Sequence, residues 1–384
     1  MSQPVRRPVF TLLCAALAGC AASPPDAGRS AVPWAFAVSG DSRNCGNLVM
    51  PAIADAVRAG GERFYWHLGD LRRIKGIDED YMRERRFAAA PPSMDDYLKD
   101  AWQDFSEHQV RPFGTTPFFL GIGNHETIAP KDVEQFRAEF ATLLDRPELH
   151  AQRLRDVGRI PAPVGNGAPS YYHWITDGVD FVNLDNATGD RFDADQLRWF
   201  DAVVDADLHD AAVRTLVVGM HEALPHSLAD NHSMCASTEG IRGGERVYAK
   251  LVDAQKRGRH VYVLASHSHF YLEDIYTTAY RRDPKHGGIA LAGWIVGTAG
   301  AVRYSLPADV KRGPGAREHV YGYLSGRVEP GGTIAFTFHE LAAEDLERAR
   351  SADYLPEAVN FCFAGNPTDM APPPPAPACL AEEP

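Results

Sequence analysis

Five short apolar runs in this 384-residue chain each stop on a polar side chain able to ligate a metal. Residues 34–39 (WAFAVS) stop at Gly40-Asp41, residues 63–68 (RFYWHL) at Gly69-Asp70, and residues 117–122 (PFFLGI) at Gly123-Asn124-His125-Glu126. Residues 214–220 (RTLVVGM) stop at His221, and residues 260–265 (HVYVLA) at Ser266-His267-Ser268-His269. Runs this short, rich in β-branched and aromatic residues and closed by Gly or a polar stop, read as buried strands. Folds built from such strands carry their chemistry on the loops at the strands' C-terminal ends. The chain is therefore expected to be an α/β protein whose polar stops meet at one edge.

Helical patterns lie between the runs. Residues 94–109 place Tyr97, Leu98, Ala101, Trp102 and Phe105 behind a Ser93/Asp96 capping pair. Residues 132–144 align Val133, Phe136, Phe140 and Leu143, and residues 194–208 align Leu197, Phe200 and Val204. Asp177-Gly178 at the centre of 172–184 marks a hairpin, and 321–338 turns at 329–332. Residues 225–243 are polar and aperiodic, so a loop over the strand ends is expected there. Segment 71–112, between the second and third stops, is expected to govern access. The reading divides the chain into a signal (1–19), a lipid-bearing Cys and tether (20–32), one catalytic domain (33–345) and a C-terminal extension with a Pro-rich tail (346–384).

Arg6 and Arg7 precede an apolar stretch, 9–19, that is too short to span a bilayer and reads as an export signal. The junction Leu17-Ala18-Gly19-Cys20 resembles a bacterial lipobox, which implies cleavage before Cys20 and lipidation of its thiol. An ordinary secretory signal with an incidental cysteine is the alternative. Either way the protein is expected outside the cytoplasm; on the lipobox reading it sits in the bacterial cell envelope, facing the periplasm or the cell surface, and is held to the membrane by lipid alone. With 51 acidic against 39 basic residues and a net charge of −12, a broad nucleic-acid-binding face is not expected. Cys45, Cys235, Cys362 and Cys379 form an even set in an exported chain, which favours disulfides.

Carboxylate, amide oxygen and imidazole together are the ligand set of a borderline divalent ion. Asp41, Asp70, Asn124, His221, His267 and His269 exceed what one ion needs, and two ions sharing a carboxylate is the natural solution. In an extended segment the two imidazoles of His267-Ser268-His269 face the same side. The order GD, GD, GNHE, H, HxH resembles the calcineurin-like metallophosphoesterase superfamily from Asp41 to His269, with a β-rich continuation to about Leu341. That resemblance implies a four-layer α/β/β/α sandwich and two divalent ions (Mn, Fe or Zn). It implies hydrolysis of a small phosphomonoester or phosphodiester by a metal-bridging hydroxide. Asp70 would bridge the ions, Asp41 and His269 would complete the first site, and Asn124, His221 and His267 the second. His125 would stand beside the reacting phosphoryl group as acid or donor, and Glu126 would orient His125.

One position departs from the family pattern. Asp-x-His is usual in the first motif, whereas this chain has Asp41-Ser42-Arg43, and arginine cannot shed its proton to ligate a metal. The first ion then binds more weakly or completes its shell with water, or Arg43 contacts the substrate phosphate bidentately. A structural salt bridge is the other reading of Arg43. His173, His226 and His232 are pocket candidates for which plain packing roles also serve, and Asp185-Asn186 reads as a turn. Cys45 and Cys235 fall on loops expected to converge, so a Cys45–Cys235 disulfide is expected at the rim, with Cys362–Cys379 closing the C-terminal segment. The competing functional reading is a metal-stabilised envelope binding lipoprotein, catalytically inactive because its first motif is damaged. A lactamase-like metallohydrolase would carry HxHxD, which is absent.

Overall fold

A computed structural model describes residues 32–164, 167–229, 232–365 and Cys379; the expected signal, Cys20 and the Pro-rich tail apart from Cys379 lie outside the described residues. The five apolar runs become β1 (Trp34–Ser39), β2 (Tyr65–His67), β3 (Phe118–Leu120), and, after the hairpin of β4 (Tyr172–Thr176) and β5 (Val179–Asn183), β6 (Thr215–Gly219) and β7 (His260–Ala265). Then follow β8 (Tyr271–Glu273), β9 (Ala292–Val296), β10 (Ala316–Arg317), β11 (Gly322–Val328) and β12 (Ile334–Glu340). The strands form two sheets, of order β12-β11-β1-β2-β3 and β10-β8-β9-β7-β6-β5-β4. β1, β2 and β3 run parallel, as do β5, β6, β7 and β9, so the five polar stops all emerge from C-terminal strand ends.

The helices are α1 (Gly46–Gly60), α2 (Met94–Phe105), α3 (Val133–Glu139), α4 (Ala141–Leu144), α5 (Pro147–Asp156), α6 (Ala194–His209), α7 (Thr238–Lys256), α8 (Ala279–Arg282), α9 (Ala343–Ala349) and α10 (Pro356–Asn360). Alternation along each strand sorts side chains between layers. On β2, Tyr65 turns outward to Met50 of α1, while Trp66 turns inward and meets Trp174 edge-on at 5.3 Å between ring centroids. On β6, Val217 joins the core between the sheets, whereas Leu216 and Val218 join the core beneath α6 and α7. The stack of Phe119 on Trp174, 3.9 Å apart, and the edge contact of Phe36 with Phe181 fill the space between the sheets. Helix, sheet, sheet, helix is the four-layer order expected.

Three expectations need correction. The helix at 132–144 is broken at Phe140 into α3 and α4. The expected loop 225–243 ends at Ser237, whose side chain accepts from Gly240 N–H and starts α7; three glycines in the first turns hide the apolar stripe of Val247, Tyr248 and Leu251 that follows. The disulfides are Cys45–Cys362 and Cys235–Cys379, with Cα atoms 6.0 and 4.8 Å apart, in place of both pairs expected. Cys45 caps α1, and the segment after β12 folds back over that helix through α9 and α10, which brings Cys362 rather than Cys235 to Cys45. Disulfides persist in oxidising compartments. No helix among the described residues is long and apolar enough to cross a membrane.

Candidate metal centre

The loops after β1 and β2 keep hydrogen bonding in register beyond the strands: Asp41 N–H donates to Gly69 O and Ser42 N–H to Asp70 O, both at 2.9 Å. Gly69 has φ 95°, and a Cβ on it would lie 2.4 Å from Gly123 N, so the backbones of the second and third motifs touch only because both residues are glycine. Asp41, Asp70 and His267 themselves sit in the left-handed region, at φ 61°, 62° and 63°. Non-glycine residues there cost on the order of 1–3 kcal/mol each and cluster at functional sites.

Glu126 is fully buried and receives Asp70 N–H, Leu71 N–H and Gly123 N–H on its two oxygens at 2.8–2.9 Å. It therefore organises the second and third loops, including Asp70, whose Oδ1 accepts from His125 N–H. Burial first, then the nearby Asp70 charge, push its carboxyl up to about 8. Asp70 carries the densest contacts. Its Oδ1 accepts from His125 N–H at 2.9 Å and lies 3.3 Å from His221 Nε2, and its Oδ2 accepts from Arg43 Nε at 3.2 Å. Burial alone would lift this carboxyl, but His221, His125 and Arg43 hold it well below the usual carboxylate range. Asp41 is likewise held low, its burial outweighed by His269.

The imidazoles are aimed by backbone carbonyls. His221 Nδ1–H donates to Leu68 O at 3.0 Å, His269 Nδ1–H to Val302 O at 2.6 Å, and His125 Nδ1–H to Arg73 O at 2.6 Å. In a ring so bonded that carries no second proton, the other nitrogen is a bare lone pair. His221 Nε2 faces two acceptor oxygens, Asn124 Oδ1 at 3.0 Å and Asp70 Oδ1 at 3.3 Å, with His267 Nδ1 also 3.0 Å away. A cation there satisfies all of them at once, which is the fit expected of a metal site. Burial holds His267 well below its usual range and lowers His125 and His269, which favours the uncharged form that ligation by His267 and His269 requires.

Among the described residues three groups of possible ligands have ligand atoms all within 4.8 Å of one another, and two of them lie here: Asp70, His221 and His267, and Asp41, Asp70 and His269; the third, Glu84, Asp104 and His108, lies elsewhere. The six expected ligands and His125 are thus brought together. Arg43 is among them too, with Nη2 3.0 Å from His269 Nε2. Of the three further histidines, only His232 reaches the centre, its ring 5.2 Å from that of His267. His226 stacks on Tyr280, and His173 is buried between Asp156 and Asp180. Asn186 is buried and tied to the backbone of Glu222, and the turn follows at 187–190. Segment 71–112 reaches the centre through the Arg73 carbonyl. Its own core is Arg72, buried and paired with Asp78, Asp80 and Asp104 at 2.8–3.1 Å.

Two participants were not read from the sequence. Tyr304 stacks on His269 at 4.1 Å and hydrogen bonds Arg43. His67, inside an apolar run, accepts Gly69 N–H on Nδ1 and so donates from Nε2 to Ser42 Oγ at 2.9 Å, bracing the first two loops. Burial first pulls that ring down to about 3, so it is a neutral spacer. A lone tyrosine outside any motif and a histidine at an apolar strand's end carry no local signal of these contacts.

The chain matches no known family profile, and no curated protein is similar to it. Solved structures similar to it include a purple acid phosphatase from yellow lupin (Lupinus luteus) seeds, at 15% identity and TM-score 0.49, covering 85% of this chain and 57% of that one. PhoD is similar at 15% identity and TM-score 0.46, covering 88% of this chain and 78% of that one. A dimetal phosphatase from Danio rerio is similar at 12% identity and TM-score 0.43, covering 76% and 92%. This chain thus spans little more than half the length of the lupin protein.

Proposed function

We propose that this protein is a metal-dependent phosphoesterase of the calcineurin-like type. The observation that carries the reading is the convergence of Asp70, Asn124, His221 and His267 from four different loops, with two acceptor oxygens facing His221 Nε2. A divalent cation bound by these residues supplies positive charge for a phosphoryl group and makes hydroxide available near neutral pH. Everything else is work for the chain. Glu126 and the Gly69–Gly123 approach hold Asp70 at a fixed place. With Nδ1 committed to Arg73 O, His125 exchanges protons only through Nε2, 3.9 Å from Asp70 Oδ2, and it can donate to a leaving oxygen once that nitrogen has taken up a proton. Arg43 and Tyr304 line the opposite side and offer N–H and O–H groups to an equatorial phosphoryl oxygen.

The test is turnover of a chromogenic phosphomonoester and a phosphodiester by protein loaded with Mn²⁺, Zn²⁺ or Fe²⁺. We expect hydrolysis of at least one ester, and loss of both hydrolysis and bound metal in Asp70→Ala. Protein that binds metal but turns over neither ester with any ion sinks the enzyme reading.

A further inference from the structure

The two halves of the centre are not equivalent. Around His221 Nε2, Asn124 Oδ1, Asp70 Oδ1 and His267 Nδ1 converge with no guanidinium or ammonium among them. Around Asp41, Asp70 and His269 a cation is already present, and it belongs to the chain. The Arg43 guanidinium donates from Nε to Asp70 Oδ2 at 3.2 Å and from Nη2 to His269 Nε2 at 3.0 Å, and it also bonds Tyr304. The nitrogen of His269 can only accept, because its Nδ1–H is spent on Val302 O. Two of the three side chains expected to hold the first ion therefore turn their lone pairs to Arg43, and only Asp41 Oδ1 is left without a donor.

Arg43 is also held in place from behind. Cys45 is joined to Cys362, and Cys45 N–H donates to Gly300 O at 3.0 Å. Asn44 N–H donates to Asp78 Oδ1 at 2.6 Å, and Asn44 O accepts from Asp80 N–H at 2.8 Å. The side chain itself is 13% exposed. A loop tied down on both sides of the arginine delivers its head to one point.

Resting on the phosphoesterase reading above, we infer that Arg43 takes the place of the first metal ion, so that this centre binds a single divalent cation through Asp70, Asn124, His221 and His267. The guanidinium fills the position with one fixed charge and no open coordination site. Two carboxylates set against one divalent cation and one guanidinium leave a single positive charge, still attractive to an anionic ester. Of the five guanidinium N–H groups, the contacts above engage three, and the rest serve a phosphoryl oxygen with the geometry that makes arginine suited to phosphate. Asp41 then acts on the backbone: its Oδ2 accepts His267 N–H at 2.7 Å and holds the HxH segment.

The experiment counts metal. Wild-type protein, Arg43→His and Asp41→Ala are equilibrated with excess Mn²⁺, dialysed and analysed for Mn per chain, with electron paramagnetic resonance reporting isolated or exchange-coupled ions. We expect one isolated Mn²⁺ in wild type, an unchanged count in Asp41→Ala, and two coupled ions in Arg43→His, where a neutral ligand replaces the cation. Two ions in wild type, one of them lost in Asp41→Ala, would overturn the inference while leaving the phosphoesterase reading intact. A count of one in folded Arg43→His also overturns it, because the guanidinium would not then be what excludes the second ion. No bound ion in wild type removes both readings. If Arg43→His does not fold, the wild-type and Asp41→Ala counts decide.

Discussion

His125 has one nitrogen fixed on the Arg73 carbonyl and the other facing the centre. Such a ring matters most when the leaving group needs a proton. His125→Ala is expected to keep its bound metal and to lose ~10²–10⁴ in rate on an alkyl phosphate ester, but far less on a nitrophenyl ester, whose leaving oxygen is stable without a proton. Equal losses on the two esters would rule out proton donation by His125. The ligands were legible because each stands at a local stop after an apolar run, and a strand's end can be read from its own residues. Arg43 was legible only as a departure. Its readings as a phosphate clamp or a salt bridge left out the outcome in which the pair with Asp70 is made at the metal position itself, since nothing local says that His269, 226 residues away, lies on its other side. Tyr304 was silent for the same reason.

Packing between elements is where sequence reading lost ground, and His173 shows why. It sits on β4, reaches Asp180 of β5 with Nδ1 at 2.7 Å and Asp156 of α5 with Nε2 at 3.0 Å, and so pins the helix to the hairpin. Burial works against its charged form, but Asp180 and Asp156 outweigh burial and raise it to about 10 from 6.5. Asp207 of α6 faces the same cluster, and burial followed by the Asp180 charge raises its carboxyl well above the usual range. Because the folded value lies above the unfolded one, the stabilisation is fully present below pH 6.5 and is lost as pH rises through 10. His173→Gln should therefore be less stable than wild type by on the order of 2–5 kcal/mol below pH 6.5, with the gap closing towards pH 10 in urea unfolding measured across that range. A gap independent of pH would mean that the ring is held for its shape. The hairpin itself was readable from Asp177-Gly178, which take φ values of 50° and 79°. Helices α1 and α7 went unread because Pro51 interrupts one pattern and glycines the other.

Across the whole molecule, the two sheets divide the centre between them. Asp41, Arg43, Asp70, Asn124 and His125 hang from β1, β2 and β3 of one sheet, whereas His221, His267 and His269 hang from β6 and β7 of the other. A cation that binds only when both sets are in place stabilises the folded chain by about 2.7 kcal/mol at a hundredfold excess over its Kd. Thermal unfolding of wild type should shift upward with added Mn²⁺, and that shift should vanish in His221→Ala; an equal shift in both would place the ion elsewhere. The disulfide pairing belongs to this scale, since Cys45 and Cys362 meet only after the chain's last helices have returned to its first. That division has a further consequence. The centre is a seam, and neither lip of it holds a complete ligand set. The first sheet is assembled from both ends of the chain and the second from its middle, so the second can form while the first still waits for β11 to dock beside β1. Loading with metal thus needs both sheets in place, and a bound ion would tie the two lips of the seam together.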